Sequence, residues 1–131
     1  MPKLEIWANM PVKDVEVTRR FFKDLGFKPN GGHERADLAS FTFSEDHFVI
    51  HFFHKPVFER NSNVTASDAA TSAEIIFTIG AGSKEEVDQW KEKVIAAGGT
   101  ILTGPKEIPE GYNLVFSDPD GHRFNVFYWN R

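Results

Sequence analysis

Residues 113–129, NLVFSDPDGHRFNVFYW, hold two extended segments on either side of a turn. Asp118 and Gly121 favour the turn, because Asp hydrogen-bonds to nearby backbone and Gly reaches conformations closed to other residues. After the turn, Phe124 and Val126 alternate with residues of other types. This period of two residues is typical of a strand with one face in a core. The sequence therefore predicts two strands joined by this turn at the end of the chain.

The same order of elements is predicted twice along the chain. In each half a strand precedes a helix with a polar N-cap and a glycine at its end, and three shorter extended segments follow. Asp14 and Ser83 are the predicted N-caps. Residues 55–72, rich in small polar side chains, are predicted to form a connector. The predicted strands lie at 4–9, 27–29, 36–43 and 48–54 in the first half, and at 73–79, 100–102, 113–116 and 123–129 in the second.

Composition and charge narrow the class of protein. The chain has 131 residues, which suits one domain, and its 40% hydrophobic and 26% charged residues are ordinary for a globular protein. The net charge of −4 argues against a general nucleic-acid binder, and the lack of cysteine excludes disulfides and thiolate metal sites. No apolar run approaches the roughly 20 residues that cross a bilayer, so we predict a cytoplasmic protein with no membrane partner.

Thirteen Phe and three Trp are many for so short a chain.

Four of the strands separate by alternation into two kinds of face. The faces predicted to pack on the helices hold Leu4, Ile6 and Ala8; Phe48, Ile50 and Phe52; Ile75, Phe77 and Ile79; and Phe124, Val126 and Tyr128. The opposite faces hold Glu5, Trp7 and Asn9; Val49, His51 and Phe53; Glu74, Ile76 and Thr78; and Arg123, Asn125, Phe127 and Trp129. This second set mixes aromatic and polar side chains, which suits either a ligand cleft or a half-exposed sheet face.

The element order and several motifs resemble the vicinal oxygen chelate superfamily, which includes glyoxalase I, bleomycin-resistance proteins, extradiol dioxygenases and fosfomycin-resistance enzymes. The motifs are MPVKD at 10–14 with FFKDLGF at 21–27, AAGG at 96–99, and FSDPDGH at 116–122. The resemblance covers the chain as a single domain, 1–131, with modules at 1–55 and 73–131. It implies an α+β fold in which two βαβββ modules form a cupped, mixed, eight-stranded sheet with helices on the outer face. It also implies a homodimer.

Many members of that superfamily hold a divalent metal by one residue from each of four strands. The resemblance puts these positions at Trp7, His51, Glu74 and Asn125. Trp7 offers no lone pair suited to a metal and Asn125 is a weak ligand, so we predict no complete metal site and no other cofactor. His51 and Glu74 are the residual ligand positions. Two other histidines are predicted to be surface residues rather than ligands: His33 and His122.

Three functions stay open at this point. The first is a metal-free protein of the bleomycin-resistance type that binds a small aromatic or amphipathic molecule, with a cation favoured by the net charge. The second is an isomerase or lyase of the glyoxalase I type, either assisted by a metal or with Glu74 as general base and His51 as its acid–base partner. The third handles glutathione or other thiol conjugates, and assigns Arg123 to a ligand carboxylate. The predicted cleft residues are Trp7, Asn9, Phe53, Ile76, Arg123, Asn125 and Phe127.

Overall fold

A computed structural model describes residues 4–45 and 48–130 of the chain. The chain divides into two compact units, Met1–Ala66 and Ser67–Arg131, each containing a four-stranded sheet. Both sheets are mixed. In each, the unit's first strand lies at one edge and runs parallel to the last strand, while the other neighbours are antiparallel. The predicted α+β fold of two βαβββ modules is therefore confirmed.

The first unit combines one sheet with two α-helices within the described residues. Its strand order is β1-β4-β3-β2, so β4 pairs with a neighbour on each side. β1 lies at the edge, where Pro11 is tolerated because an edge strand needs hydrogen bonds on one side only. The elements are β1 (Ala8–Val12), α1 (Val15–Asp24), β2 (Lys28–Pro29), a 3-10 turn (Gly31–His33), β3 (Leu38–Thr42), β4 (Val49–His54) and α2 (Lys55–Ser62).

The second unit repeats this arrangement with one long helix. Its strand order is β5-β8-β7-β6, and β5 runs parallel to β8. Trp90 of the helix stacks on Phe116 at 6.2 Å, and Phe116 stacks on Phe124 at 5.3 Å between ring centroids. The elements are β5 (Phe77–Gly80), α3 (Lys84–Ala97), β6 (Thr100–Ile108), β7 (Gly111–Ser117) and β8 (Arg123–Trp129).

Both α1 and α3 begin at the predicted N-caps. The carboxylate of Asp14 accepts hydrogen bonds from the backbone N–H groups of Glu16 (3.0 Å) and Val17 (3.3 Å). The hydroxyl of Ser83 accepts one from the N–H of Glu86 at 3.1 Å. These bonds satisfy donors that have no partner inside the helix, so the local sequence fixes where each helix starts.

An aromatic core joins α1 to the first sheet. Phe22 is fully buried and stacks on Phe52 of β4, with ring centroids 4.7 Å apart. Phe21 meets Phe22 edge-on at 4.9 Å, and Phe41 of β3 lies 5.9 Å from the same ring. Part of the large Phe content is therefore core packing, as alternation predicted for Phe52.

The predicted position of the first strand was wrong. β1 begins at Ala8, and its pairing with β4 runs to Val12. Its buried side chains are Met10 and Val12 rather than Leu4 and Ile6, which are 93% and 80% exposed. Leu4 and Ile6 precede the ladder, so no sheet neighbour directs them toward α1.

Segment 55–80 also departs from expectation. The predicted connector begins with α2, whose Pro56 lies in the first turn, where a missing N–H costs nothing. The helix ends at Ser62, and its C-cap Asn63 adopts the left-handed conformation with φ 59°. β5 starts only at Phe77, and Ile75, which was assigned to the helix-packed face, is 58% exposed.

The stretch 103–112 is largely strand. β6 continues to Ile108 and pairs with β7, with register shifts between Ile101 and Thr103 and between Thr103 and Lys106. Gly104 and Pro105 lie at these irregularities in the ladder. At Gly111 a side chain would collide with the carbonyl oxygen of Tyr128, which explains the glycine where β7 begins.

Asp118 fixes the turn that joins β7 to β8. Its Oδ1 accepts hydrogen bonds from the N–H groups of Asp120 (3.1 Å) and His122 (2.8 Å), and its Oδ2 lies 2.7 Å from Nδ1 of His122. Gly121 has φ +97°, and a Cβ there would approach Cα of Ala70 to 2.7 Å. His122 is buried, so the prediction that it lies at the surface was wrong.

No helix among residues 4–45 and 48–130 is long and apolar enough to span a bilayer.

We predict that Phe22→Ala lowers the free energy of unfolding by about 3–5 kcal/mol, because it opens a cavity among several aromatic rings. Urea denaturation followed by circular dichroism measures the change. Val17→Ala, on the exposed side of the same helix, is the control and should change stability by less than about 0.5 kcal/mol. Equal effects of the two substitutions would contradict the packing described for Phe22.

Candidate functional site

The face of the first sheet opposite its aromatic core forms the floor of a cleft. On β4, His51 and Phe53 alternate with the core residues of that strand, so they point to the other side. His51 is paired with Asn9 of β1, and Phe53 with Leu38 of β3. Paired residues share a face, so polar and apolar groups from three strands meet here.

The cleft has a volume of about 310 Å³. That is near the lower limit of about 300–1,000 Å³ for small-molecule sites, and it suits a ligand of one or two rings. The predicted site residues that the structure brings together here are Trp7, Asn9, His51 and Phe53. The full lining is Trp7, Asn9, Gly32, His33, Arg35, Leu38, His51 and Phe53.

His51 lies among three rings. The Trp7 ring meets it edge-on with centroids 6.1 Å apart, and Phe53 meets it edge-on at 5.9 Å. The His33 ring lies 5.7 Å away at an interplanar angle of 50°. A flat aromatic group entering the cleft would thus meet ring edges and faces on several sides, which is the arrangement that aromatic pairs prefer.

The surroundings of His51 favour its neutral form. Burial lowers the pKa of its imidazole, and the nearby His33 and Arg35 lower it further. Its Nδ1 is enclosed and has no hydrogen-bond partner. A buried polar atom without a partner costs free energy, so such atoms are unusual in folded proteins. This one therefore marks a place where a ligand could act.

Hydrogen bonds hold the loop that carries His33 and Arg35. Asn30 donates from Nδ2 to the hydroxyl of the buried Ser40 at 3.2 Å, and its N–H binds the Ser40 carbonyl at 2.9 Å. Arg19 of α1 donates from Nη2 to the carbonyl of Arg35 at 2.9 Å. The cleft wall is therefore tied to both β3 and α1.

The remaining predicted site residues lie in the second unit. Arg123 donates from Nη1 to the carbonyls of Ala69 (2.8 Å) and Gly121, so its guanidinium holds a loop and a turn together. Glu74 and Ile76 precede β5 and are exposed in the described structure. Phe127 lies on β8 and is half-buried.

Asn125 of β8 is engaged within its own sheet. Its Oδ1 accepts a hydrogen bond from Nδ2 of Asn113 at 2.9 Å, and its Nδ2 donates to Oγ1 of Thr78 at 3.3 Å. The amide therefore links β5, β7 and β8.

A second, larger cleft of about 640 Å³ lies beside β2. Its lining includes Phe27 and Phe43, whose ring centroids are 4.4 Å apart, and Lys28. It contains none of the predicted site residues, and it brings together no group of titratable side chains comparable to that at His51. We therefore take the smaller cleft as the candidate site.

The turn between β7 and β8 holds a group that the sequence analysis did not single out. Asp118, Asp120 and His122 offer ligand atoms that all lie within 4.8 Å of one another, and such a group could hold a metal ion. Asp118 already uses both oxygens in the hydrogen bonds that shape the turn. A metal there would compete with those bonds.

The model of the Glyoxalase/Bleomycin resistance protein/Dioxygenase superfamily matches residues 6–126. The chain belongs to this superfamily. No curated protein matches the chain.

Solved structures resemble the chain over nearly its whole length. A hypothetical protein from S. aureus, SA1046, is 27% identical, with a TM-score of 0.85 over 98% of this chain and 95% of that one. A glyoxalase-related enzyme from Fulvimarina pelagi is 19% identical, with a TM-score of 0.82 over 95% and 87%. TnmS3, an antibiotic binding protein from Streptomyces sp. CB03234, is 16% identical, with a TM-score of 0.67 over 99% of both chains.

The residues that the resemblance places at the superfamily's metal positions make an incomplete set of metal ligands. At the first position Trp7 brings an indole ring against His51 instead of a ligand atom. At the fourth, the amide of Asn125 is occupied by hydrogen bonds on both its oxygen and its nitrogen. Only His51 and Glu74 offer good ligand atoms, and catalytic sites usually hold a metal by three. We therefore derive no reaction through a metal at these positions.

Sequence reasoning missed two cleft residues, His33 and Arg35. His33 is exposed, as predicted, yet its ring lies beside His51. Both residues belong to a loop, and alternation carries information only for strands. The turn signal at 30–32 indicated a change of direction, but nothing in the sequence showed that the chain returns over β4.

We predict that Asp118→Ala lowers the free energy of unfolding by about 2–4 kcal/mol, because two N–H groups and the buried His122 each lose an acceptor. Chemical denaturation measures this loss. Glu110→Ala, at an exposed turn position, is the matched control and should stay within about 0.5 kcal/mol of the parent protein. If Asp118→Ala were equally mild, the hydrogen bonds of this turn would not be stabilising.

Proposed function

We propose that the protein binds a small planar aromatic molecule in the cleft at His51, without a complete metal site. The observation that carries this proposal is the set of rings from Trp7, His33 and Phe53 around His51, beside a cleft of about 310 Å³. Stacking on such rings stabilises flat ligands by burial and by ring electrostatics.

The superfamily relationship supports a binding role. TnmS3, which shares the fold, is named an antibiotic binding protein. The isomerase alternative requires Glu74 as a general base in an apolar setting, but Glu74 is exposed in the described structure. A stoichiometric metal in protein purified without chelator would favour that alternative over ours.

We predict that the protein binds 2-naphthamide, a neutral two-ring probe, saturably, and that Trp7→Ala weakens the affinity roughly two- to tenfold. Isothermal titration calorimetry gives the dissociation constant. Val64→Ala, an exposed apolar position of the same unit outside the cleft lining, is the control and should leave the affinity unchanged. Absence of saturable binding, or equal affinity in Trp7→Ala, would count against the proposed function.

We also propose that the protein is a homodimer, as its resemblance to the superfamily implies. Large apolar side chains stay exposed ahead of the first strand of each unit: Leu4 and Ile6 in the first, Ile75 and Ile76 in the second. Burying such side chains against a second copy would stabilise the pair by about 1.5–3 kcal/mol for each residue.

We predict that sedimentation analysis gives twice the chain mass, and that Ile6→Asp shifts the equilibrium toward the monomer by at least about tenfold, because it places a charge where burial is expected. Ile95→Asp, on the exposed side of α3, is the matched control. A monomeric parent protein at high micromolar concentration would contradict the proposal.

A further inference from the structure

We propose that the ligand of the cleft at His51 is an aromatic acid, whose ring carries an anionic oxygen such as a carboxylate. This inference rests on the proposed function and adds the charge of the ligand to it.

The polar groups that line the cleft are donors rather than acids. They are Asn9, His33, Arg35 and His51, and no carboxylate is among the lining residues. The sequence-wide charge of −4 suggested a cationic ligand, but that charge is spread over the whole chain. Local groups decide which ligand charge is favoured, because exposed charges farther than about 10 Å are screened.

Arg35 supplies the positive charge at the cleft. Its side chain is 63% exposed, and its Nε lies 3.4 Å from Oδ1 of Asp37. A ligand carboxylate would therefore compete with Asp37 for a partly solvated guanidinium, which accepts two oxygens in one plane. The charge of Arg35 also reaches His51, where it is one of the three causes that lower the pKa of that imidazole.

His51 supplies a hydrogen-bond donor. In the neutral ring one nitrogen carries a proton and the other accepts. Because Nδ1 is enclosed without a partner, a proton there would be a buried unpaired N–H, which is rarer in proteins than an unpaired acceptor. The favoured tautomer therefore carries the proton on Nε2, which can donate to an oxygen of the ligand.

The backbone around Arg35 is held in place. Arg19 donates to the Arg35 carbonyl at 2.9 Å and to the Leu38 carbonyl at 3.4 Å, and its guanidinium also pairs with Glu34. The Arg35 N–H binds the Leu38 carbonyl at 3.0 Å. Although the side chain of Arg35 is exposed, its backbone is held beside the cleft, which keeps the guanidinium within reach of a ligand there.

The test compares three probes that share one ring system: 2-naphthoate, 2-naphthamide and 2-naphthylmethylammonium. We expect the anion to bind roughly two- to tenfold more tightly than the amide, and the cation most weakly, with the differences shrinking as salt is added. Calorimetric titration of the full chain gives each dissociation constant.

Two substitutions should change the preference for naphthoate over naphthamide in opposite directions. Arg35→Gln removes the positive charge and should bring the affinity for naphthoate down to that for the amide. Asp37→Asn frees the guanidinium of Arg35 and should strengthen naphthoate binding. Arg20→Gln makes the same change of net charge on the exposed side of α1 and should leave the preference intact.

The outcomes separate this inference from the proposed function. If the amide or the cation binds as tightly as the anion, or if Arg20→Gln acts as strongly as Arg35→Gln, the inference is overturned while the binding function stands. If none of the three probes binds, the proposed function is overturned and the inference with it.

Discussion

The pairing of β4 on both sides is the constraint on which the first unit depends. β1 binds it in parallel and β3 in antiparallel register. Because side chains alternate along a strand, a slip of one residue would exchange Ile50 and Phe52 for His51 and Phe53 on the core side. Such a slip would bury the polar imidazole of His51 and move the large apolar side chains of Ile50 and Phe52 out of the core. The stability of the core therefore also fixes the orientation of the groups that form the cleft.

The two units share a strand order but use their polar side chains differently. In the first, His51 keeps an enclosed nitrogen without a partner, beside a cleft of ligand size. In the second, Arg123, Asn125 and Asp118 are engaged in hydrogen bonds with neighbouring strands and turns. The same supersecondary unit thus supports a candidate binding surface in one half and a network of hydrogen bonds between strands and turns in the other.

Features with strong local causes were predictable from the sequence. The caps at Asp14 and Ser83, and the alternation in β4 and β8, depend on residues close together along the chain. Edge strands were predicted less well, because β1 and β5 pair on one side only and residues ahead of them continue the apolar alternation without joining a sheet. Residues 55–72 were predicted to form a connector, although Pro56 within them lies in the first turn of α2.

The candidate site was predictable only where strands form it. Asn9, His51 and Phe53 share one face because of strand alternation and register, and Trp7, which precedes β1, lies against His51. His33 and Arg35 reach the cleft through a loop whose path depends on contacts distant in sequence, with Ser40 and Arg19. Such contacts leave no periodic signal in one sequence. The positions of His33 and Arg35 beside the cleft are therefore visible only in the structure.

At the turn that contains Asp118, metal binding and folding of the second unit would compete for the same carboxylate. The carboxylate that would coordinate an ion is the same one that accepts two backbone N–H groups and contacts His122. An ion that displaced these hydrogen bonds would weaken the turn, so the free energy of losing them would be subtracted from its affinity. The hydrogen bonds of the folded turn and a metal ion therefore compete for the same carboxylate oxygens. By linkage, a more stable turn would bind a metal more weakly.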